Sequence, residues 1–214
     1  MQLLSVNIGS KRTQPKGDEI ETTGIYKIPT GESIKITSLG IKEDFICDQK
    51  NHGGPDQAIY IYGQPGYDWW SKELGRELEA GTFGENLTVS ELESAQFNIG
   101  DRLHVGSVIL EVTAPRIPCS TLGARMGNQL FVKHYRRAER PGLYCRVIQE
   151  GTVKAGDNVT VEKYLKESFS IGQSFRDYYK KLNEGTIRRY LDLPIAIRWR
   201  ADLEKDLTKL NPEK

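Results

Sequence analysis

The sequence lacks long hydrophobic runs and any strong excess of one charge. Its longest apolar run, Ala58 to Tyr62, is five residues, whereas a membrane-spanning helix needs about 20. The first residues show neither the basic start nor the apolar stretch of a secretory signal, so we expect a cytoplasmic protein. The formal net charge of +1 gives no general attraction to nucleic acid or to a membrane surface.

Cysteine and histidine are also scarce. The three cysteines, Cys47, Cys119 and Cys145, are odd in number and far apart, which predicts reduced thiols rather than a disulfide framework. The three histidines lie in no C-x-x-C or H-x-x-x-H spacing, so the common zinc sites are excluded. Common iron–sulfur clusters need four cysteines. A redox centre would therefore require an organic carrier or a single thiolate.

Short segments rich in Val, Ile, Thr and Tyr alternate with glycine-bearing turns through the first 163 residues. Many short strands without long helices between them favour a closed or folded-over barrel. The pattern predicts two hairpins, over residues 25–36 and 103–112. The second would turn at Gly106-Ser107, a pair that suits a type II′ turn. Two Gly-Asp turns, at 100–101 and 156–157, would each lead into a strand.

Helical spacing occurs in two regions of the chain. Apolar residues predict one helix over residues 66–79 and three short amphipathic helices after residue 164, with Pro194 in the first turn of the last. We therefore expect a β-barrel domain over residues 1–163 and a three-helix extension over residues 164–214.

The segment His52-Gly53-Gly54-Pro55-Asp56 is the first candidate for chemistry. The glycine pair permits positive φ and a close approach of the backbone to a ligand. His52 adds a side chain that titrates near neutral pH. The alternative is a turn whose histidine caps the end of a strand.

The segment Gly84-Glu85-Asn86-Leu87 is the second candidate. Asn86 offers both a donor and an acceptor to a polar heterocycle, and Glu85 offers an acceptor to ring N–H groups. The alternative is a glycine-rich turn with Asn86 in a left-handed conformation.

A cysteine follows two prolines in Pro115-Arg116-Ile117-Pro118-Cys119. The prolines stiffen the backbone, and Arg116, three residues before Cys119, would favour the thiolate. A thiolate there could act as nucleophile, persulfide carrier or soft metal ligand. The alternative is an inert, buried thiol.

A basic stretch between residues 125 and 146 contains Arg136, Arg137 and Arg146. Arginine suits bidentate binding of an anion such as phosphate, although solvated surface charge is an equal alternative. Walker and Rossmann fingerprints and interleaved aromatic residues are missing, so neither nucleotide nor nucleic-acid binding is predicted.

Six segments in this order resemble the MOSC family, named after the C-terminal domain of molybdenum cofactor sulfurases. They are His52 to Asp56, Gly84 to Leu87, Ile99 to Asp101, Pro115 to Cys119, Gly142 to Val147 and Ala155 to Asp157. The helical tail is similar to that of the stand-alone bacterial YiiM-like type. The resemblance implies an α+β fold, mainly β with α, in which a MOSC-type β-barrel core precedes a small three-helix C-terminal bundle.

The resemblance also implies that the chain binds molybdenum cofactor, a pterin dithiolene, with Cys119 as the protein ligand of molybdenum. Residue roles carried over from it are hypotheses. The cofactor would contact Gly53, Gly54, Asn86 and Arg116, and its phosphate would meet Arg136, Arg137 or Arg146. His52 or Glu85 would relay protons.

The implied reaction is reduction of N-hydroxylated compounds, such as hydroxylaminopurine-type bases, to amines. A separate reductase would supply the electrons, because no flavin or haem signature is visible. The alternative is a non-catalytic carrier of molybdenum cofactor or of a persulfide sulfur on Cys119. Pyridoxal phosphate is not expected, and Lys50 is the only lysine in these motifs that might bind it.

One position departs from the family pattern. Members usually show Gly-Leu-x-Gly-Asp before the His-Gly-Gly segment, and this chain has Gly40-Ile41-Lys42-Glu43-Asp44. A glycine there would serve a tight turn near the pocket, so Glu43 predicts an altered loop.

Overall fold

The computed structural model describes residues 1–48 and 52–210 and shows an α+β fold. Its strands are β1 (Leu3–Gly9), β2 (Arg12–Lys16), β3 (Glu19–Thr23), β4 (Lys27–Thr30), β5 (Ile34–Thr37), β6 (Gly40–Ile41), β7 (Ile59–Gly63), β8 (Leu87–Val89), β9 (Arg102–Val105), β10 (Val108–Pro115), β11 (Leu143–Gln149), β12 (Gly151–Val153) and β13 (Val159–Glu162). Its helices are α1 (Gln64–Leu74), α2 (Ser120–Arg125), α3 (Phe131–Ala138), α4 (Ile171–Asp177), α5 (Glu184–Leu191) and α6 (Ile197–Leu210).

The main sheet has eight strands in the order β13-β9-β10-β11-β7-β8-β1-β4. Backbone hydrogen bonds join its β13 edge to the start of β1: Leu3 N–H donates to the Asp157 carbonyl at 2.9 Å, and Val159 N–H donates to the Met1 carbonyl at 2.9 Å. The sheet thus closes between β13 and the start of β1, which pairs the β13 edge, and β4 pairs with the end of β1 as an additional edge strand. This agrees with the predicted barrel core.

The second predicted hairpin is confirmed and the first is wrong. Strands β9 and β10 pair antiparallel with Val105 opposite Val108, and Gly106 has φ of 55° as a type II′ turn requires. In the first segment, β4 pairs with β1 while β5 pairs with β12 and β6. The two strands therefore belong to different sheets and do not form a hairpin. The Gly-Asp turns do precede β9 and β13, which pair with each other.

Helix α1 confirms the helix predicted near residues 66–79, although it ends earlier, at Gly75 in a left-handed C-cap with φ of 63°. The tail contains the three predicted helices, α4, α5 and α6. Pro194 precedes α6 and is not in its first turn. Helices α2 and α3 were not predicted, although Phe131 and Tyr135 have the i, i+4 spacing of a buried helical face.

Two apolar clusters hold the fold together. The larger joins barrel residues such as Leu103 and Leu110 to Ile187 and Leu203 of the C-terminal helices. The smaller is aromatic and packs Trp70 of α1 against Phe131 and Tyr135 of α3. The division into two domains remains a prediction. Of the helices described in residues 1–48 and 52–210, none has the length and apolar character needed to cross a bilayer.

Candidate active site around Cys119

Three of the four segments singled out from the sequence meet around one cavity of about 170 Å³, which we call the barrel cavity. His52 and Gly53 come from the first segment, Asn86 from the second, and Arg116 and Cys119 from the third. The residues lie far apart in sequence and converge only because the sheet curls. Such a concave site with convergent polar groups is the usual form of a small-molecule site.

The position of Cys119 follows from the end of β10. The strand ends at Pro115, a second proline follows at position 118, and Cys119 is the N-cap residue of α2. The Arg116 side chain turns back, and its Nη2 lies 3.6 Å from the Cys119 Sγ. Arg116 is only 4% exposed, so its charge has little solvent to screen it.

Cys119 is poised as a thiolate. Burial raises the pKa of the thiol, but the charge of Arg116, a hydrogen bond from His52 and the backbone N–H of Leu122 outweigh it and lower the pKa to about 5. By contrast, burial of Cys145 in the apolar core raises its pKa well above the ordinary range. Cys119 therefore has the environment of a nucleophilic or metal-binding thiol, whereas Cys145 has that of an inert core thiol.

Asn86 also borders the barrel cavity, and hydrogen bonds fix its side-chain amide there. Its Nδ2 donates to the Asp44 Oδ2 at 2.9 Å, and its Oδ1 accepts from the Tyr60 N–H at 3.2 Å. Asp44 also pairs with the buried Lys27 ammonium and accepts from the Gly9 N–H at 2.7 Å. Asn86 is not in a left-handed conformation; Gly84, with φ of 81°, provides the turn. The network holds the amide rigidly at the cavity wall.

The glycine pair is divided between two places. Gly53 borders the cavity with φ of 79°, and a Cβ there would lie 3.0 Å from the Ile46 Cδ1. Gly54, with φ of 83°, faces away from the barrel cavity towards Arg198 of α6. Both positions use the positive φ that glycine permits. Lys50 lies outside the described residues.

Glu85 is fully buried and does not border the barrel cavity. Its Oε1 accepts from the Tyr67 hydroxyl at 2.5 Å, from the Gly81 N–H at 2.7 Å and from the Thr88 hydroxyl at 2.8 Å. Burial raises the pKa of this carboxyl, and these hydrogen bonds oppose the rise. The structure thus places Glu85 inside the wall, where it joins α1 to the loop before β8. Its proton-relay role remains untested.

Glu85→Ala is expected to destabilise the protein by more than about 3 kcal/mol, because three buried donors lose their acceptor at about 1–3 kcal/mol each. Urea unfolding measures the change. Glu73→Ala is the matched control, since Glu73 is exposed and pairs with His134 at the surface, and we expect it to shift stability by less than about 1 kcal/mol. Similar losses in the two variants would contradict the assigned structural contacts.

The three predicted phosphate-binding arginines are not brought to the barrel cavity. The Arg136 guanidinium lies 3.8 Å from the centre of the Tyr179 ring, and Arg137 is exposed at the end of α3. Arg146 pairs with Asp56 at 3.0 Å and donates to the carbonyls before α6. Arg146 therefore connects the barrel to the helical tail. Among the residues that the structure describes, the lysines and arginines that border the cavity are Lys16, Lys27 and Arg116.

Glu43 lies outside the wall of the barrel cavity. It is exposed and its φ is not positive. The next residue, Asp44, is the one that reaches inward to Lys27 and Asn86. The turn at residue 43 therefore does not require the positive φ of glycine, and the altered loop expected from Glu43 stays a prediction.

The MOSC domain model matches residues 48–160, which carry His52, Asn86 and Cys119. The chain belongs to the MOSC domain family. Uncharacterized protein YflK of Bacillus subtilis (strain 168) is 32% identical over 213 residues, or 98% of this chain and 96% of that protein. Protein YiiM of Escherichia coli (strain K12) is 29% identical over 155 residues, or 71% of this chain and 68% of that protein.

Solved structures of similar proteins share the fold of this MOSC protein. YiiM from Geobacillus stearothermophilus superposes with a TM-score of 0.79 at 25% identity, and the match covers 96% of this chain and 98% of that chain.

A further relative by sequence is a protein named "Reductase" from Gibberella moniliformis (strain M3125 / FGSC 7600), which is 31% identical over 163 residues, or 74% of this chain and 29% of that protein. The predicted family resemblance is confirmed.

Several residues of the MOSC cavity were missed from the sequence. Lys27 and Tyr60 lie in strand-like segments, where a long side chain carries no local sign that it faces a cavity. Tyr144 belongs to the Gly142 to Val147 motif, so that motif could have identified it. Its ring also borders the cavity, and burial raises the pKa of its hydroxyl.

Proposed function

We propose that this protein is a molybdenum-cofactor-dependent oxidoreductase that reduces N-hydroxylated compounds, such as hydroxylaminopurine-type bases, to amines. The observation that carries the proposal is the Cys119 thiolate, held 3.6 Å from the Arg116 guanidinium at the wall of the barrel cavity. Membership of the MOSC family and similarity to proteins named YiiM and "Reductase" support it.

The donor set fits a metal that arrives on an organic carrier. Within the described residues, no group of three His, Cys, Asp or Glu side chains could hold a metal ion alone. A single thiolate is a suitable protein ligand for a metal already bound to a dithiolene, and Cys119 would provide it. When bound, molybdenum cofactor would pass electrons from a separate reductase to the substrate and supply the metal for oxygen removal.

The residues around the thiolate have separate tasks in this proposal. Arg116 keeps Cys119 deprotonated, and Asn86 and Gly53 offer polar groups to the pterin. Reduction of an N–OH group to an amine and water consumes two protons. His52 is the candidate to deliver them, because it reaches the Cys119 sulfur and borders the cavity. The electrons would come from a separate reductase.

Molybdenum content tests the proposal directly. Wild type, Cys119→Ser and Cys145→Ala would be purified from a host that makes the cofactor, and molybdenum and pterin per chain would be measured. We expect near-stoichiometric metal in wild type and Cys145→Ala and little in Cys119→Ser, because a hydroxyl is a poor ligand for this soft site. With reduced viologen as electron donor, the proteins that contain molybdenum should reduce 6-hydroxylaminopurine, and Cys119→Ser should not.

Each other outcome has a definite meaning. Metal without turnover would favour the carrier of cofactor, and sulfur bound to Cys119 without metal would favour the persulfide carrier. Metal retained at wild-type level in Cys119→Ser would contradict the assigned ligand. Melting curves of all three proteins exclude loss of folding as the cause.

A further inference from the structure

A second concave surface lies beside the barrel cavity, between the barrel and helix α6. We call it the helix groove; its volume is about 310 Å³, near the lower end of the range for small-molecule sites. Six of its residues matter here: Cys119, Tyr144, Tyr178, Arg198, Trp199 and Asp202. The last four belong to the C-terminal helical region and lie outside the residues matched by the family model.

The helix groove and the barrel cavity meet at the reactive thiol. Cys119, His52, Gln57 and Tyr144 border both of them. Their other walls differ in chemistry. The barrel cavity adds the polar network of Lys27, Asp44 and Asn86, whereas the helix groove adds aromatic rings and two side chains of opposite charge. A group held on Cys119 from the barrel side would thus be open to a second molecule from the groove.

The groove wall from α6 is fixed in position. Asp56 accepts the Ile197 N–H at the start of α6 at 2.8 Å, and the same carboxylate pairs with Arg146. The Arg198 Nη1 donates to the Gln57 Oε1 at 3.0 Å. These bonds join α6 to the turn that follows His52 and Gly53. The distance between α6 and the thiol is therefore set by the fold.

Trp199 is held in place by packing against another aromatic ring. Its ring centre lies 4.7 Å from that of Tyr190, which is fully buried in the core. Tyr178, about half exposed, also borders the groove. A preorganised aromatic wall suits a flat ring, since stacking on fixed side chains costs little conformational entropy.

We propose that the helix groove binds the flat heteroaromatic ring of the substrate, with Trp199 as the stacking surface. Asp202, one turn after Arg198 on α6, pairs with Lys205 at 3.5 Å, and its carboxylate accepts N–H groups of the ring or its exocyclic amine. Arg198, four residues earlier, lies on the same face of α6 and borders the groove as a donor. This inference rests on the proposed function for the reaction, but it assigns the ring-binding residues to the helical extension rather than to the MOSC barrel.

The proposed reaction changes only the N–OH group of the substrate and leaves its ring intact. The N–O bond of R–NHOH breaks, two electrons from the external reductase and two protons are consumed, and R–NH₂ and water leave. The amine product retains the ring. An amine such as adenine therefore probes the groove without any turnover, since it has no N–O bond to reduce.

Adenine binding to wild type, Trp199→Leu and Asp202→Asn, measured by calorimetry, tests the groove. Stacking on an aromatic residue changes base affinity by roughly tenfold or more, so we expect that loss for Trp199→Leu and a smaller loss for Asp202→Asn. Trp69→Leu is the matched control: Trp69 is also partly buried, but it packs on Trp70 beyond both cavities. The control should bind adenine as wild type does.

The same proteins separate this inference from the proposed function. Wild-type affinity in Trp199→Leu, or no binding to wild type at millimolar adenine, would overturn the groove assignment even if the protein contains molybdenum and reduces its substrate. Weakened binding in Trp199→Leu with unchanged melting would support it even if no molybdenum is found. In the loaded enzyme, Trp199→Leu should raise KM and leave both kcat and molybdenum content near wild type.

Discussion

Replacing Arg116 by glutamine should return the Cys119 thiol to its protonated form at neutral pH. In wild type the Arg116 charge and the His52 hydrogen bond outweigh burial and hold the pKa at about 5. Without Arg116, burial is opposed only in part by His52 and the Leu122 N–H, so the pKa should rise towards its ordinary value of 9.0. At pH 7 a full return to that value would lower the thiolate fraction by about 100-fold.

Alkylation rates against pH measure this change. In a Cys47→Ser background, which removes the exposed thiol, Cys119 of wild type should react at a constant rate above about pH 6. The Arg116→Gln variant should react slowly until pH 8 or higher. Arg136→Gln is the control, because Arg136 lies over Tyr179 and outside the cavity. Reaction with a midpoint near pH 5 in Arg116→Gln would show that Arg116 does not set the pKa.

The sequence predicted those features of the site and the fold that depend on residues close together in the chain. Arg116 and Cys119 are three residues apart on a segment stiffened by prolines, and the structure keeps them adjacent. The Gly106-Ser107 turn is likewise encoded by two residues. Each of these features depends on neighbours in the chain, so the local pattern was sufficient.

Features that depend on distant partners were not predicted correctly. Strand β5 pairs with β12, more than a hundred residues away, and nothing near residue 30 indicates that the chain changes sheet there. Arg146 looked like an anion-binding residue, but its ion partners are Asp56 and Glu111. Glu85 lies one residue before a cavity residue, but its carboxylate binds Tyr67, Gly81 and Thr88 inside the wall, and Tyr67 is distant in sequence from the segment that suggested a site.

The buried ion pair of Lys27 and Asp44 is the second feature for which a large effect is expected. Their side chains are 8% and 3% exposed, and Asp44 also orients Asn86. Burial lowers the pKa of Lys27, and the charge of Asp44 opposes that shift. Lys27→Met would leave a carboxylate without its cation inside the wall. Breaking a buried pair in this way costs about 3–5 kcal/mol.

Urea unfolding of Lys27→Met, alone and combined with Asp44→Asn, distinguishes this charge effect from lost packing. Asp44→Asn removes the buried negative charge and keeps a side-chain oxygen as acceptor, so the double variant should be more stable than Lys27→Met alone. Lys209→Met is the control; Lys209 pairs with Asp206 on the surface, and its removal should cost less than about 1 kcal/mol. A double variant that is no more stable than Lys27→Met would indicate that lost packing causes the deficit. A recovery in the double variant would mean that the unpaired Asp44 carboxylate, which also binds Asn86, causes the deficit.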